Sequence, residues 1–199
     1  DASRINVTIN GIPINDSESQ GVWWVNMPDF TSSVSNIQIQ RGVGTSTNGG
    51  SAFGATVNLE TNKINKKRYV SNSSSIGSFN SVKNSVEFGT GLINKKFSVD
   101  GRISSIISDG YIDRASSNLR SFYLSGGYYG KNSIVQAMVF SGHERTYQAW
   151  YGVPQQFLDS IPTFNPYNYE NEVDDYTQTH SQLHYKKQNR KLKNRWPKK

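Results

Sequence analysis

The chain has 199 residues and no cysteine, which rules out disulfide staples, thiol chemistry and zinc sites built on cysteine. Apolar residues make up only 34%, low for a compact water-soluble domain, while aromatics reach 12%; that balance suits a β-protein with one wet face, either a strand-built membrane barrel or a secreted sandwich. The net charge of +7 belongs to the last stretch, Lys186 to Lys199: its eight Lys and Arg leave 14 bases against 15 acids in the body, so no nucleic-acid-binding face is expected.

Asp1 to Gly11 has neither the basic nor the apolar segment of a secretory leader, and no run of about 18 apolar residues offers a membrane-crossing helix. The chain is therefore expected either to be cytosolic or to lack its start. "RINVTINGI" alternates Ile5, Val7 and Ile9 with Asn6, Thr8 and Asn10, which predicts a half-buried strand closed by an Asn-Gly turn. "PINDSESQGVWWVNMPDF" reads as irregular, with a Trp pair and a proline near each end. "NIQIQ" predicts a second strand, a glycine-rich loop follows, and "ATVNLE" predicts a third.

From about Lys67 the alternating segments lengthen. "NSVEFGTGLI" places Val86, Phe88, Thr90 and Leu92 on one face. "FSVDGRISSIIS" separates Phe97, Val99, Gly101, Ile103, Ser105 and Ile107 from Ser98, Asp100, Arg102, Ser104, Ile106 and Ser108. "RSFYLSGGYYG", "NSIVQAMVFSGHERTY" and "YTQTHSQLHY" continue the series. Tight turns are predicted at 94–96 and 130–133, and longer connections at 77–84, 109–118 and about 147–175. Short turns on one edge, long loops on the other and strands of about 9–12 residues form the pattern of an up-and-down transmembrane barrel.

Chemistry-bearing candidates are few. The loop from Arg41 to Glu60 holds Gly42, Gly44, Gly49, Gly50 and Gly54 but no lysine, and a strand follows it instead of a helix. It therefore lacks both the phosphate-gripping lysine of a P-loop and the helix N-terminus of a dinucleotide fold. Close backbone approach and positive φ are the expected uses of these glycines. Asp16 and Glu18 read as solvated loop charges, and His143 and Glu144 as surface residues. His180 and His184 share a strand face without the further ligands a metal needs. No serine sits in a nucleophile-elbow setting. No catalytic residue, metal or cofactor is expected. Trp23, Trp24 and the aromatics of the long third loop read either as core or interfacial packing or as a ligand-contacting surface.

The stretch "VTINGIPINDSESQGVWWVNMPDF…IQIQRGVGTSTNGGSAFGATVNLET" resembles the second half of the plug of TonB-dependent outer-membrane receptors, especially the Bacteroidetes type. Asn10-Gly11-Ile12-Pro13 stands at the family's "DG-x-P" turn and Arg41-Gly42 at its "RG". Gly49, Phe53-Gly54, Val57, Asn58 and Thr61 fit its last block. Departures are Asn10 for Asp, Val43 for Pro and Ala55 for Gly. "DGYIDRASS" and the strands around it look like the first part of the barrel.

The resemblance implies a mainly β fold: the C-terminal half of a plug over 1–62, then about six antiparallel strands of a transmembrane β-barrel over 63–185 and a basic tail over 186–199. It implies energised import of a scarce nutrient such as a ferric siderophore or haem, in the outer membrane of a Gram-negative bacterium. The TonB complex, the nutrient and membrane lipid are the implied partners, and enzymatic chemistry is not implied. Glu18, Ser19, Gln20, Trp23 and Trp24 in one plug loop, and Ser46, Thr47, Asn48 and Gly49 in another, would contact the ligand. Arg41 would pair with acids of the barrel wall. Gly11, Gly42 and Gly54 would be structural.

By the same resemblance the chain is expected to be a fragment that lacks its leader, TonB box and first plug half and aggregates alone. For the tail, a shifted reading frame or truncated gene and a disordered basic segment both stand. Two other functions stay open: a glycan importer working with a surface lipoprotein, and a soluble β-rich adhesin or binding module.

Overall fold

The computed structural model describes residues 4–43, 53–61 and 65–187. The chain divides into two compact units, Asp1–Lys63 and Ile64–Lys199. In the first, β1 (Ile5–Ile9), β2 (Ile12–Pro13), β3 (Asn36–Arg41) and β4 (Ala55–Glu60) form one sheet in the order β2-β1-β4-β3. β1 lies parallel to β4, and β3 lies antiparallel to it.

The expected Asn-Gly turn joins β1 to β2. Asn10 and Gly11 both have positive φ, 54° and 81°, the geometry that matches a two-residue hairpin to strand twist. The Asn10 side chain also ties this turn to the end of β4. Its carbonyl accepts from the Thr61 amide at 2.9 Å, and its amide donates to the Thr61 hydroxyl at 3.0 Å. Val7 and Ile9 on β1, Leu59 on β4, and Met27 and Phe30 from the irregular segment are buried. That segment condenses into two short 3-10 turns, Trp24–Asn26 and Phe30–Ser33.

The second unit is a six-stranded meander in the order β10-β9-β8-β7-β6-β5, antiparallel throughout. Its strands are β5 (Tyr69–Gly77), β6 (Ser81–Gly89), β7 (Phe97–Ser108), β8 (Ser117–Tyr129), β9 (Ser133–Tyr147) and β10 (Val173–Lys187). The two-face split expected for β7 holds, with exposure opposite to that of a water-soluble sheet. Phe97, Val99, Ile103 and Ile107 are exposed, whereas Ser98, Arg102 and Ser104 are buried. The same division runs across the sheet. Val86, Phe122, Leu124 and Leu183 are exposed, while Ser85, Ser121, Glu144 and Gln182 are buried on the other face together with Tyr123, Met138 and Phe140.

The edge of the apolar region steps along the sheet. The last large apolar residue before the polar rows is Ile107 on β7, Phe122 on β8, Val139 on β9 and Leu183 on β10. Through the pairing register these correspond to Ile107, Ile103, Gly101 and Val99 of β7, so the edge slants across the rows. A level boundary cutting tilted strands leaves this trace. At the opposite end the Phe97 and Tyr128 rings meet at a tilt, 5.1 Å apart, in a row with Val135 and Tyr185.

Two glycines, Gly101 in the middle of β7 and Gly89 at the end of β6, explain how rings lie flat on this sheet. A Cβ on Gly101 would fall 2.5 Å from the Phe88 ring, and one on Gly89 would fall 2.2 Å from the Tyr69 ring. Each ring belongs to the glycine's cross-strand partner and covers the backbone it leaves bare.

Three expectations are corrected. The connection predicted long at 77–84 is a three-residue turn, Ser78 to Asn80, because Phe79 and Asn80 both take positive φ, 58° and 52°. Thr90 and Leu92 fall outside β6, which ends at Gly89. Glu144 is not a surface residue: β9 runs on to Tyr147, and alternation turns Glu144 to the buried face at 1% exposure.

Candidate functional site

In the first unit the loop after β2 is built on Asn15 and Asp16. Asn15 accepts from the Val7 amide at 2.8 Å and donates to the Ile5 and Gln20 carbonyls, both at 2.8 Å. The Asp16 carboxylate accepts from the Ser19 amide at 2.7 Å, the Ser19 hydroxyl at 3.0 Å and the Glu18 amide at 3.1 Å. Asp16 is thus the loop's knot as well as the solvated charge expected of it. An Asx-type turn closing on the second and third following amides was the available signal.

Glu18, Ser19 and Gln20 are exposed on this loop, and Gln20 takes a positive φ of 56°. Trp23 and Trp24 stand out at 62% and 49% exposure, with Val25 beside them. They therefore contribute little to this unit's buried core, and their rings form an aromatic surface close in sequence to the Asp16 knot. Arg41 ends β3 with an exposed side chain. Gly42, at φ 79°, donates to the Gly54 carbonyl, and Gly54 donates to the Arg4 carbonyl, both at 2.8 Å. A Cβ on Gly54 would sit 3.2 Å from that carbonyl, so both ends of the glycine loop rest on close backbone contacts. Ser46, Thr47, Asn48 and Gly49 lie outside the described residues, as does the tail from 188 to 199.

The three hydrogen bonds to Asp16 hold its carboxyl below the ordinary value of 3.8, the Ser19 amide being the largest cause. The knot's contribution is then complete above 3.8 and fades as pH falls through the lowered native value. Trp23 and Trp24 fluorescence should report loop loosening in that acid range. Asp16→Ala should abolish this transition and show the loosened signal at neutral pH. An unchanged acid titration in the variant would remove Asp16 as its source.

In the second unit three connections at one end of the sheet interlock. Asn80 donates to Asp109 at 2.6 Å, and the Phe79 and Tyr111 rings meet edge-on at 5.5 Å. Asn165, 3% exposed, donates to the Asp113 and Gln148 carbonyls at 2.9 and 3.1 Å and accepts from the Tyr167 amide at 3.0 Å. The Arg114 guanidinium donates to the Asn165 carbonyl at 2.8 Å and to the Tyr167 carbonyl at 3.0 Å. The long β9–β10 connection is thereby fastened to the β7–β8 loop. It carries the helix α1 (Gln155–Ser160), whose Phe157 stacks on Phe164 at 4.6 Å. Trp150, Tyr151 and Tyr169 remain exposed on it.

His180 and His184 do share a face, and Gln182 bridges them at 2.9 and 3.0 Å. An amide occupies the gap between them. Among the described residues no group of three or more His, Cys, Asp or Glu could hold a metal ion.

No protein-family model and no curated protein sequence matches the chain. Solved structures do. The ferric-catecholate import receptor Fiu from E. coli K12, in its open form, superposes with a TM-score of 0.71 at 15% identity, over 93% of this chain and 29% of that one. FpvA of P. aeruginosa bound to heterologous pyoverdines gives 0.68 at 13% identity, over 90% of this chain and 24% of that one. The copper transporter OprC gives 0.59 at 16%, over 75% and 24%. The chain thus spans about a quarter of the length of these structures. They are transporters and receptors, not enzymes, and the likeness shows the fold: a mainly β chain with a six-stranded antiparallel sheet of the receptor-barrel kind.

Proposed function

We propose that the chain is the plug-side and first-strand portion of a TonB-dependent receptor in the outer membrane of a Gram-negative bacterium. There it would serve energised import of a scarce nutrient. One observation carries the reading: large apolar side chains such as Ile103, Phe122 and Leu183 line an exposed face of the sheet, the charged and polar Arg102, Ser104, Glu144 and Gln182 share the buried face with Tyr123, Met138 and Phe140, and the edge of the exposed apolar region slants across β7 to β10. Lipid rewards that arrangement and water penalises it. In this reading the TonB complex acts on the plug and the barrel wall carries no covalent chemistry. Glu18, Ser19, Gln20, Trp23 and Trp24 contact the ligand, with Ser46, Thr47, Asn48 and Gly49 as the second contact loop. Arg41 pairs with acids of the barrel wall.

Fiu is a ferric-catecholate receptor, FpvA was solved with pyoverdines and OprC carries copper, so the fold serves several cargoes. A second reading, an uncharged glycan handled with a surface lipoprotein, is favoured by one feature. The loops 109–116 and 148–172 carry Asp109, Asp113, Asp159, Glu170 and Glu172 against Arg114 alone, and Arg114 is spent on backbone carbonyls. Such a surface repels a polyanionic chelate.

Alanine at Trp23 and Trp24 separates these ideas from a merely structural pair. Binding of ferric catecholates and of neutral oligosaccharides should be titrated against both variants. A loss of about tenfold or more toward one class is expected, since buried aromatic anchors are worth about 2 kcal/mol or more. Unchanged affinity for every ligand that the unsubstituted chain binds would remove this loop from the site.

A further inference from the structure

Along the buried face of β10 the side chains of His180, Gln182 and His184 form one hydrogen-bonded ladder. Gln182 Nε2 donates to His180 Nε2 at 2.9 Å, and His184 Nε2 donates to Gln182 Oε1 at 3.0 Å. Gln182 is 7% exposed, and the two rings are half-buried. Alternate residues of a strand share a face, so the rings stand about 13 Å apart with the amide between them. An amide is unsymmetrical: its oxygen only accepts and its nitrogen only donates. As bonded, His184 presents an N–H and His180 a bare ring nitrogen. Turning the amide over exchanges the two roles and keeps the constraint. Whichever way it points, the ring facing its nitrogen must be neutral, because an imidazolium carries N–H at both nitrogens and has no acceptor left.

We infer that His180, Gln182 and His184 act as a one-proton ladder: either imidazole can be charged while both hydrogen bonds hold, but not both. The second proton sets a ring N–H against the amide N–H and breaks one end. The ladder is whole above that second step, whether it carries no proton or one, and is lost as pH falls through it. Acid thus opens the inner face of β10 at one ring. All three groups lie within one strand, so this holds whether the sheet meets lipid or water.

Among the described residues β10 pairs with β9, which sets Phe140, Met138 and Gln136 opposite the ladder. None of the three titrates. Glu144, the acid of β9 on this face, lies opposite Tyr176, four residues from His180. On β10 itself Lys186 follows His184 on the same face, and Asp174 and Tyr176 precede His180. Tyr129 of β8 reaches Gln136 at 3.5 Å. Further across, the register puts Tyr123, Arg102 and Glu87 in the row of His180, and Asp100 and Tyr69 in that of Gln182. None of these groups stands between the rings. Each sets a fixed offset between the two imidazoles, and a fixed offset does not make the charge of one depend on the charge of the other.

The test titrates the ring nitrogens of isotope-labelled histidine by NMR, with the full chain in detergent micelles. The chain has three histidines, and His143, bonded to Thr177 on the opposite face, serves as the reference. His180→Phe and His184→Phe each leave one ladder ring, whose midpoint is measured alone. The sum of those two midpoints should exceed the sum of the two steps in the unsubstituted chain by about 1–2 pH units, the worth of one charge-assisted hydrogen bond. Gln182→Met keeps the side-chain length and the direct repulsion between the rings but removes the amide. The same cycle in that background should leave only the repulsion, about 0.2 pH unit through water. Gln182→Glu offers an oxygen to each ring, so both can be charged together, and it too should erase the excess. An excess no larger in the unsubstituted chain than in Gln182→Met would overturn the ladder, and so would an excess that survives in Gln182→Glu.

Discussion

Ile103→Arg is expected to block stable insertion into lipid while leaving the chain's behaviour in water nearly unchanged. Ile103 is 65% exposed in mid-strand on the apolar face, between Val86 of β6 and Phe122 of β8. In water, a charge on an exposed strand position changes stability by no more than about 0.5 kcal/mol. At the centre of an outer-membrane barrel wall the same change costs about 2–4 kcal/mol. The cost should be compared with that of Thr179→Arg, exposed in the same row and on the same face but past Leu183, where the apolar region ends on β10. Insertion yield into vesicles, scored by protease protection, should fall steeply for Ile103→Arg and little for Thr179→Arg. Equal behaviour of the two variants, with full solubility in the absence of detergent, would favour the soluble binding module and remove the receptor reading.

Asn165→Ala should release the long β9–β10 connection without melting the sheet beneath it. The substitution strips the donor from the Asp113 and Gln148 carbonyls and the acceptor from the Tyr167 amide. Three partly buried groups lose their partner at about 1–3 kcal/mol each, of which some returns as water enters, so a local loss of about 3 kcal/mol is expected. Hydrogen exchange is the suitable readout, because local opening and global unfolding have separate free energies. Amides in 109–116 and 148–172 should lose protection by about two orders of magnitude or more, and those of β7 and β8 should keep theirs. Protection lost equally throughout would mean that the loop cluster and the sheet are one cooperative unit.

The strands were legible because alternation is a strong signal, and β7 shows it best. Twelve residues sort into two faces in the sequence, and the same two faces appear in the structure. The turn at Asn10-Gly11 was legible for a related reason, since those residue types tolerate the positive φ that the turn requires. The turn at Phe79-Asn80 was hidden, because phenylalanine at positive φ runs against its preference and is set by tertiary context.

Site chemistry was less legible. Asn165 and Arg114 lie about 50 residues apart in sequence and act through backbone carbonyls, which no side-chain motif announces. Asp16 is the exposed charge expected, and its knot is made with immediate neighbours, Glu18 and Ser19, in the pattern of an Asx turn. Glu144 was misplaced because it was read as surface together with His143, whereas alternation along β9 sends neighbouring side chains to opposite faces.

Every strand of the large sheet is hydrogen-bonded to the strand before or after it in the chain. That makes assembly a sequence of hairpin closures. Each doubling of a connection adds only about 0.6 kcal/mol of closure entropy, so the long β9–β10 connection costs about 2 kcal/mol more than the three-residue turns. Order of emergence and order of pairing can then coincide, with each finished hairpin presenting a ready edge to the next. Such a chain folds by zipping along its own length, and the interval most exposed to error is the wait between β9 and β10.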